Sequence, residues 1–177
     1  MKYLVISDIH GSYYYAKIIE RLIEQEQPNK IILLGDLYYH GPRNPLPLEY
    51  NPKEVSNILN KYEKIIYAVK GNCDAEVDQM ISNFKIRNQL KLKINNKTVM
   101  FTHGHKFNID NLPNNVDVLV YGHFHTCFIK EKNNVLCINA GSITLPKNNT
   151  PNSYIVIDDN EVFIKNLNNE IVNKVNI

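Results

Sequence analysis

With 177 residues, 44% of them hydrophobic and 21% charged, the chain is long enough to bury a core of its own and too apolar for a disordered class. A net charge of +2 gives no electrostatic footprint for general nucleic-acid or membrane-surface binding. Cys73, Cys127 and Cys137 cannot all pair and lack zinc-knuckle spacing, the first apolar stretch is too short for a signal peptide, and no apolar run approaches the roughly 18 residues of a membrane span. These features exclude secreted, membrane-spanning and disulfide-scaffold classes and predict one cytoplasmic domain over residues 1–177.

Lys2 to Ser7 reads as a β-rich run that ends at Asp8. From Tyr13 to Gln27 the pairs Tyr14/Tyr15, Ile18/Ile19 and Leu22/Ile23 recur every four residues, which predicts a helix with one buried stripe, stopped by Pro28-Asn29. Tyr13-Tyr14-Tyr15 then packs at the helix start. Lys30 to Leu34 is a continuous apolar run of strand length, expected to be a central parallel strand, and it stops at Gly35-Asp36. Tyr38 to Pro52 holds four prolines, Pro42, Pro45, Pro47 and Pro52, and is predicted to be a loop. A helix is expected over Lys53–Tyr62, a strand over Lys64–Val69 ending at Gly71-Asn72-Cys73-Asp74, and a short helix over Glu76–Phe84.

After Lys85 the pattern changes. Leu90-Lys91-Leu92-Lys93-Ile94 alternates with period two and is followed by the turn signal Asn95-Asn96. Lys91 and Lys93, with Lys85, Arg87 and Lys97, read as the wet face of a hairpin. Further short strands are expected at Thr98–Thr102, Val116–Tyr121, Phe128–Lys130, Val135–Asn139, Ser153–Ile157 and Val162–Leu167. A first half that alternates strand and helix and a second half mostly of hairpins predict an α/β (α+β) fold, two sheets packed together with helices outside.

The residues with chemical potential lie at the carboxyl ends of apolar runs, where open α/β sheets place their sites. Asp8-Ile9-His10 follows the first, Gly35-Asp36 the second, Gly71-Asn72 the third, His103 a fourth, and Gly122-His123-Phe124-His125 a fifth. Residues two apart in an extended chain project to one side, so Asp8 converges with His10 and His123 with His125. Glycine before Asp36, Asn72 and His123 permits a sharp turn and close backbone approach. Taken singly, these are ordinary caps, turns and packed histidines. Together, two Asp, one Asn and four His form an oxygen and nitrogen set for divalent Mn, Fe, Co, Ni or Zn, too many for one ion and enough for two that share a carboxylate.

The order Asp-x-His, Gly-Asp, Gly-Asn-x-Asp, His, Gly-His-x-His resembles that of the calcineurin-like metallophosphoesterases across nearly the whole chain. Within them it is most similar to the small bacterial YfcE-type phosphodiesterases, through His40-Gly41-Pro42-Arg43-Asn44, Glu76-Val77-Asp78-Gln79-Met80, Thr102-His103-Gly104-His105 and Asn139-Ala140-Gly141-Ser142. The resemblance implies a four-layer αββα sandwich of two mixed sheets flanked by helices. It implies one metal on Asp8, His10, Asp36 and His125 and a second on Asp36, Asn72, His103 and His123, with Asp36 bridging. It implies hydrolysis of small phosphodiesters, with two cations about 3.5–4 Å apart acting as Lewis acids and supplying a hydroxide nucleophile. Mn2+ is the first choice, with Ni2+, Co2+, Fe2+ and Zn2+ open.

Cys73, Asp74 and His105 stand as candidate catalytic residues, and His40 and Arg43, on the proline-rich loop, as candidate substrate-binding residues. Cys73 occupies a place where many members of the wider family carry a histidine. A homo-oligomer is left open. The rival readings are a non-catalytic retromer-type scaffold, which has no need of seven intact ligands, and a phosphomonoesterase or nuclease of the same family.

Overall fold

The computed structural model describes residues 1–177. Two mixed β-sheets lie face to face. The larger has seven strands in the order β12-β11-β10-β1-β2-β3-β4, built from β1 (Lys2–Ile6), β2 (Lys30–Leu33), β3 (Ile66–Val69), β4 (Ile86–Arg87), β10 (Ser153–Asp158), β11 (Glu161–Asn166) and β12 (Ile171–Asn176). The smaller has five in the order β5-β6-β7-β9-β8, from β5 (Leu90–Ile94), β6 (Lys97–Phe101), β7 (Val118–Tyr121), β8 (Cys127–Lys132) and β9 (Val135–Ala140). Two mixed sheets packed face to face are the arrangement expected from the sequence.

Side-chain alternation assigns each strand face to a layer. On β1 and β2, Leu4, Ile6, Ile31 and Leu33 pack under helices α1 (Tyr13–Glu26) and α2 (Pro52–Asn60), while Val5 and Ile32 face the other sheet. Across the gap they meet Val99, Phe101, Val118, Val120 and Ile138. Most of the predicted helical stripe is buried: Ile18, Ile19, Leu22 and Ile23 of α1 lie in the core, and each such aliphatic contributes about 1.5–3 kcal/mol. Tyr13 and Tyr15 pack against the same core, but Tyr14 is exposed and falls outside the expected stripe. Ser12 caps α1, accepting from the Tyr15 N–H. Pro52 begins α2 behind the cap Asn51, where a missing N–H costs nothing. No helix is long and apolar enough to cross a membrane.

Several expectations are corrected. The helix expected over Glu76–Phe84 shrinks to α3 (Asp78–Ile81), a single turn with no side-chain cap. The carboxyl half is mostly hairpins, as expected, but two of its pairs are parallel. β6 runs parallel to β7, and β7 to β9. The chain from Gly104 to Asn115 covers the outer face of the smaller sheet as irregular structure, seating Phe107, Ile109 and Leu112 against Met100, Leu119 and Tyr121. β4 and β12 were not foreseen. β4 has two residues, and β12 is an edge strand with four of its six residues, Ile171 to Lys174, exposed in a row, so neither carries a hydrophobic rhythm.

α1 is anchored to the sheet edge by one buried carboxylate. Glu26 accepts from Lys165 Nζ at 2.8 Å and Tyr154 Oη at 3.2 Å, and pairs with Lys2 Nζ at 2.9 Å. Burial pushes its pKa up, but the two lysines outweigh that and hold it below the ordinary value. A depressed carboxyl contributes stability above its unfolded pKa, which is lost as pH falls through the folded one. Glu26→Gln is expected to cost about 1–2 kcal/mol at pH 7, the low side for charge-assisted bonds because both ammonium groups remain partly in water. Urea titrations of both proteins check this, and the difference should close as pH falls below about 4.

Candidate metal centre

The strand ends that carry Asp8, His10, Asp36, Asn72, His103, His123 and His125 meet at one edge of the sandwich, and the structure brings all seven predicted ligands together. Five of the seven, Asp8, His10, Asp36, His123 and His125, have φ between 52° and 68°. These left-handed turns aim side chains from neighbouring loops at a common point. Close approach of the loops requires two of the predicted glycines. A Cβ on Gly71 would run into Asp36, and one on Gly122 into Ser7 and Asp8.

The first group of donors is Asp8, His10 and His125. Asp8 Oδ2 is engaged by the Ser7 hydroxyl and by the His123 N–H at 3.0 Å. Asp8 Oδ1 is fully buried and has no donor. It faces His125 Nε2 at 3.2 Å and His10 Nε2 at 3.6 Å, and those two nitrogens are 3.2 Å apart. His10 Nδ1 lies 2.9 Å from the Tyr39 carbonyl and His125 Nδ1 lies 2.6 Å from that of Leu145. A carbonyl only accepts, so in the neutral rings Nδ1 keeps the proton and both Nε2 lone pairs point at the orphan oxygen. Three acceptors facing one another fit a cation between them.

The second group is His103, Asn72 and His123. His103 Nδ1 donates to the Leu34 carbonyl at 2.8 Å, which turns Nε2 toward Asn72 Oδ1 at 3.0 Å and His123 Nδ1 at 3.2 Å. Asp36 Oδ2 stands between the groups, 3.3 Å from His103 Nε2 and 3.8 Å from His10 Nε2. Its Oδ1 accepts from the Cys73 N–H at 2.8 Å. The donor set fits two divalent ions sharing Asp36, and the carbonyl partners of the imidazoles are the kind that fix ligand orientation.

The electrostatics show the same demand for positive charge. Burial opposes ionisation of Asp8, yet the neighbouring imidazoles of His10, His125 and His103 outweigh it and hold the carboxyl well below the usual carboxylate range. Burial pushes His103 down, but Asp36, Asp8 and the Leu34 carbonyl outweigh it and raise it to about 9. His123, desolvated and beside His103, falls to about 4.

Other candidates fall in different places. Arg43 lines a cleft of about 580 Å³ above the centre, together with Cys73, His123, Phe124 and His125. Lys147 lines it too. The sequence carries no local signal for Lys147, which is brought in by its N–H donating to the His125 carbonyl at 2.8 Å. His40 is corrected. Its ring is wedged edge-on between Tyr39 and Tyr50, 4.8 and 5.2 Å between centroids, and does not line the cleft. Its carbonyl instead holds the Asn44 side chain at 2.8 Å.

Asp74 is also corrected as a catalytic candidate. Its carboxylate accepts from the N–H groups of Asp36, Leu37 and Gly71 at 2.8, 2.7 and 2.7 Å, so it clamps the loop that carries Asp36. Burial pushes the Cys73 thiol up to about 12, aided by Asp36, so it keeps its proton. His105 lies outside the ligand group, exposed, its ring 5.5 Å from that of His103.

His103 with a pKa near 9 carries a proton at pH 7 and must lose it to ligate. Binding of Mn2+ is therefore expected to release about one proton or more at pH 7 and to tighten as pH rises toward 9. Calorimetry in buffers of different ionisation enthalpy measures the release. A heat independent of buffer would contradict the ligand assignment.

Residues 1–161 match the Calcineurin-like phosphoesterase superfamily domain. Phosphodiesterase YfcE of Escherichia coli K12 is 39% identical over 175 residues, covering 97% of this chain and 95% of that protein. The solved structure of E. coli YfcE, described as a phosphoesterase, superposes with a TM-score of 0.96 at 36% identity over 100% of both chains. The probable metallophosphoesterase YsnB of Bacillus subtilis is 28% identical over 89% of this chain and 83% of its own.

Proposed function

The chain belongs to the calcineurin-like phosphoesterase superfamily, and from that premise we propose that it is a metal-dependent phosphodiesterase that hydrolyses small phosphodiesters at a centre of two divalent cations. The observation that carries the reading is the orphaned, buried Asp8 Oδ1 facing two imidazole lone pairs, one carboxylate away from a second set of three donors. Bound there, divalent cations supply Lewis acidity toward phosphoryl oxygens and lower the pKa of water. Asp8, His10, Asp36 and His125 would hold one, and Asp36, Asn72, His103 and His123 the other. Manganese is the cation we favour among Mn2+, Ni2+, Co2+, Fe2+ and Zn2+, all of which suit a set of oxygen and imidazole donors with no thiolate.

The chain's own residues do the rest. Arg43 and Lys147 place two cations on the cleft wall, a planar fork and a point charge, suited to hold the two free oxygens of a diester. Cys73, on the cleft wall beside Asp36, is our candidate for a weak donor toward a leaving oxygen. Asp74 fixes the Asp36 loop through three N–H bonds. We take residues 1–177 as one catalytic domain. A cytoplasmic location belongs to the same proposal, supported by the three unpaired cysteines.

Stripping with chelator should abolish hydrolysis of bis(p-nitrophenyl) phosphate, and Mn2+ should restore it. Full activity in metal-free protein would sink the reading. Because Asp36 serves both groups, Asp36→Ala should lose both ions and about 10³-fold or more in kcat/KM, while His10→Ala retains one ion and weak activity. Elemental analysis distinguishes them.

Arg43→Ala and Lys147→Ala are expected to raise KM about tenfold with a smaller fall in kcat, as for groups that bind the ground state and transition state alike. Steady-state kinetics on the same ester checks this. An unchanged KM in both would return the two side chains to solvent.

A further inference from the structure

A second groove opens beside the metal centre. It encloses about 900 Å³ and shares Asn72 with the cleft that holds Arg43 and Lys147, so the two hollows adjoin at a single metal-site side chain. Its walls come from parts of the chain that the phosphodiesterase reading leaves without a role. Lys70 follows β3, Asn88 and Gln89 join β4 to β5, and His105 and Lys106 follow His103. Neither Lys70 nor Lys106 takes part in any of the ion pairs of the molecule. The one carboxylate on the wall, Asp74, is spent on three backbone N–H groups.

The groove therefore has two free ammonium groups, exposed amides at Asn88 and Gln89, and no free carboxylate to balance them. Such a wall is rich in donors and poor in acceptors. Two ammonium groups and two amides offer more N–H donors than a carboxylate can use, and match a phosphoryl dianion with three terminal oxygens. The position decides what that dianion belongs to. A diester phosphorus held between Asp36 and Arg43 has one ester arm in the cleft and the other free to cross Asn72.

We propose that this groove is a subsite for a terminal phosphomonoester carried on one arm of the diester substrate, read by Lys70 and Lys106. The natural substrate class is then a small diester with a second phosphate, in place of a neutral diester. The proposal rests on the phosphodiesterase reading of the metal centre. The groove's volume of about 900 Å³ and the chain's net charge of +2 suit one such arm and not an extended polyanion.

Two chromogenic esters with the same leaving group test it: thymidine 5′-(p-nitrophenyl phosphate) and its 3′-phosphorylated derivative, each assayed with Mn2+-loaded protein. The wild type is expected to prefer the phosphorylated ester about tenfold in kcat/KM, mainly through KM. Lys70→Gln/Lys106→Gln should reduce that preference to about twofold or less, and Lys70→Arg/Lys106→Arg should retain it. Equal use of both esters by the wild type overturns the groove proposal and leaves the metal centre standing. An equal fall for both esters in the Gln variant also overturns it, because the lysines would then read no arm. Failure of the wild type to cleave either of these esters or bis(p-nitrophenyl) phosphate overturns the reading of the centre, and the groove with it.

Discussion

Three loops meet on Asp36. Its N–H donates to Asp74 after β3, its carbonyl accepts from the His10 N–H after β1, its Oδ1 accepts from the Cys73 N–H, and its Oδ2 faces His103 after β6. One residue at the end of a buried central strand thus ties together both sheets and both groups of donors. A neighbour that moved by an ångström would break a backbone bond as well as a contact at the centre. The rigid part of the fold and the chemical part are therefore the same set of hydrogen bonds, which is the condition for holding ligands in place without relying on mobile loops.

That arrangement is costly. Left-handed backbone at a non-glycine residue costs roughly 1–2 kcal/mol, and five donors share it. Two buried carboxylates lie among imidazoles whose lone pairs converge, and the carboxylates shift His10 and His103 up, toward holding a proton where no cation is bound. Buried side chains offset part of the cost. Ser142 and Thr144 hold the carbonyls of Asp8 and Ile9 at 2.9 Å each, and Asn139 holds that of Gly122 at 2.8 Å. The stretch Asn139-Ala140-Gly141-Ser142, which drew notice in the sequence without an evident task, is the scaffold of the Asp8 turn. Strain gathered at one edge and supported by buried hydrogen bonds is where a fold departs from local preference for the sake of chemistry.

What could be read from the sequence follows from which signals are local. The buried strands β1, β2 and β7 are continuous apolar runs, and the candidate metal-binding residues follow directly after them, so strand and candidate site were legible together. The α1 stripe was legible because its period is short. Lys147 was not, because its place depends on a backbone bond to His125 twenty-two positions earlier, which leaves no pattern in either segment. His40 misled for the opposite reason. Its neighbours look like a binding loop, but Tyr39 and Tyr50 take its ring away from the cleft. Asp74 looked chemical because acid after Gly-Asn-Cys is a conspicuous pattern; only the three N–H groups around it show that it is a clamp. Edge strand β12 and the coil over the smaller sheet depend on packing partners far away in the chain.

The same facts bear on the rival reading of a non-catalytic scaffold. A fold alone does not choose between them, since one architecture serves unrelated functions. A scaffold needs a stable surface, and a buried Asp8 Oδ1 with no donor works against stability, as does a row of left-handed histidines. Cations could be retained for structure, but then the surrounding wall would need no particular charge. Here Arg43 and Lys147 stand over the centre on loops that share no strand, and the side of Asn72 away from them carries two further unpaired lysines. A structural ion would gain nothing from positive groups beside it, because they repel it. They make sense only if an anion arrives between them, and phosphate esters are the anions for which a centre of this donor chemistry is built.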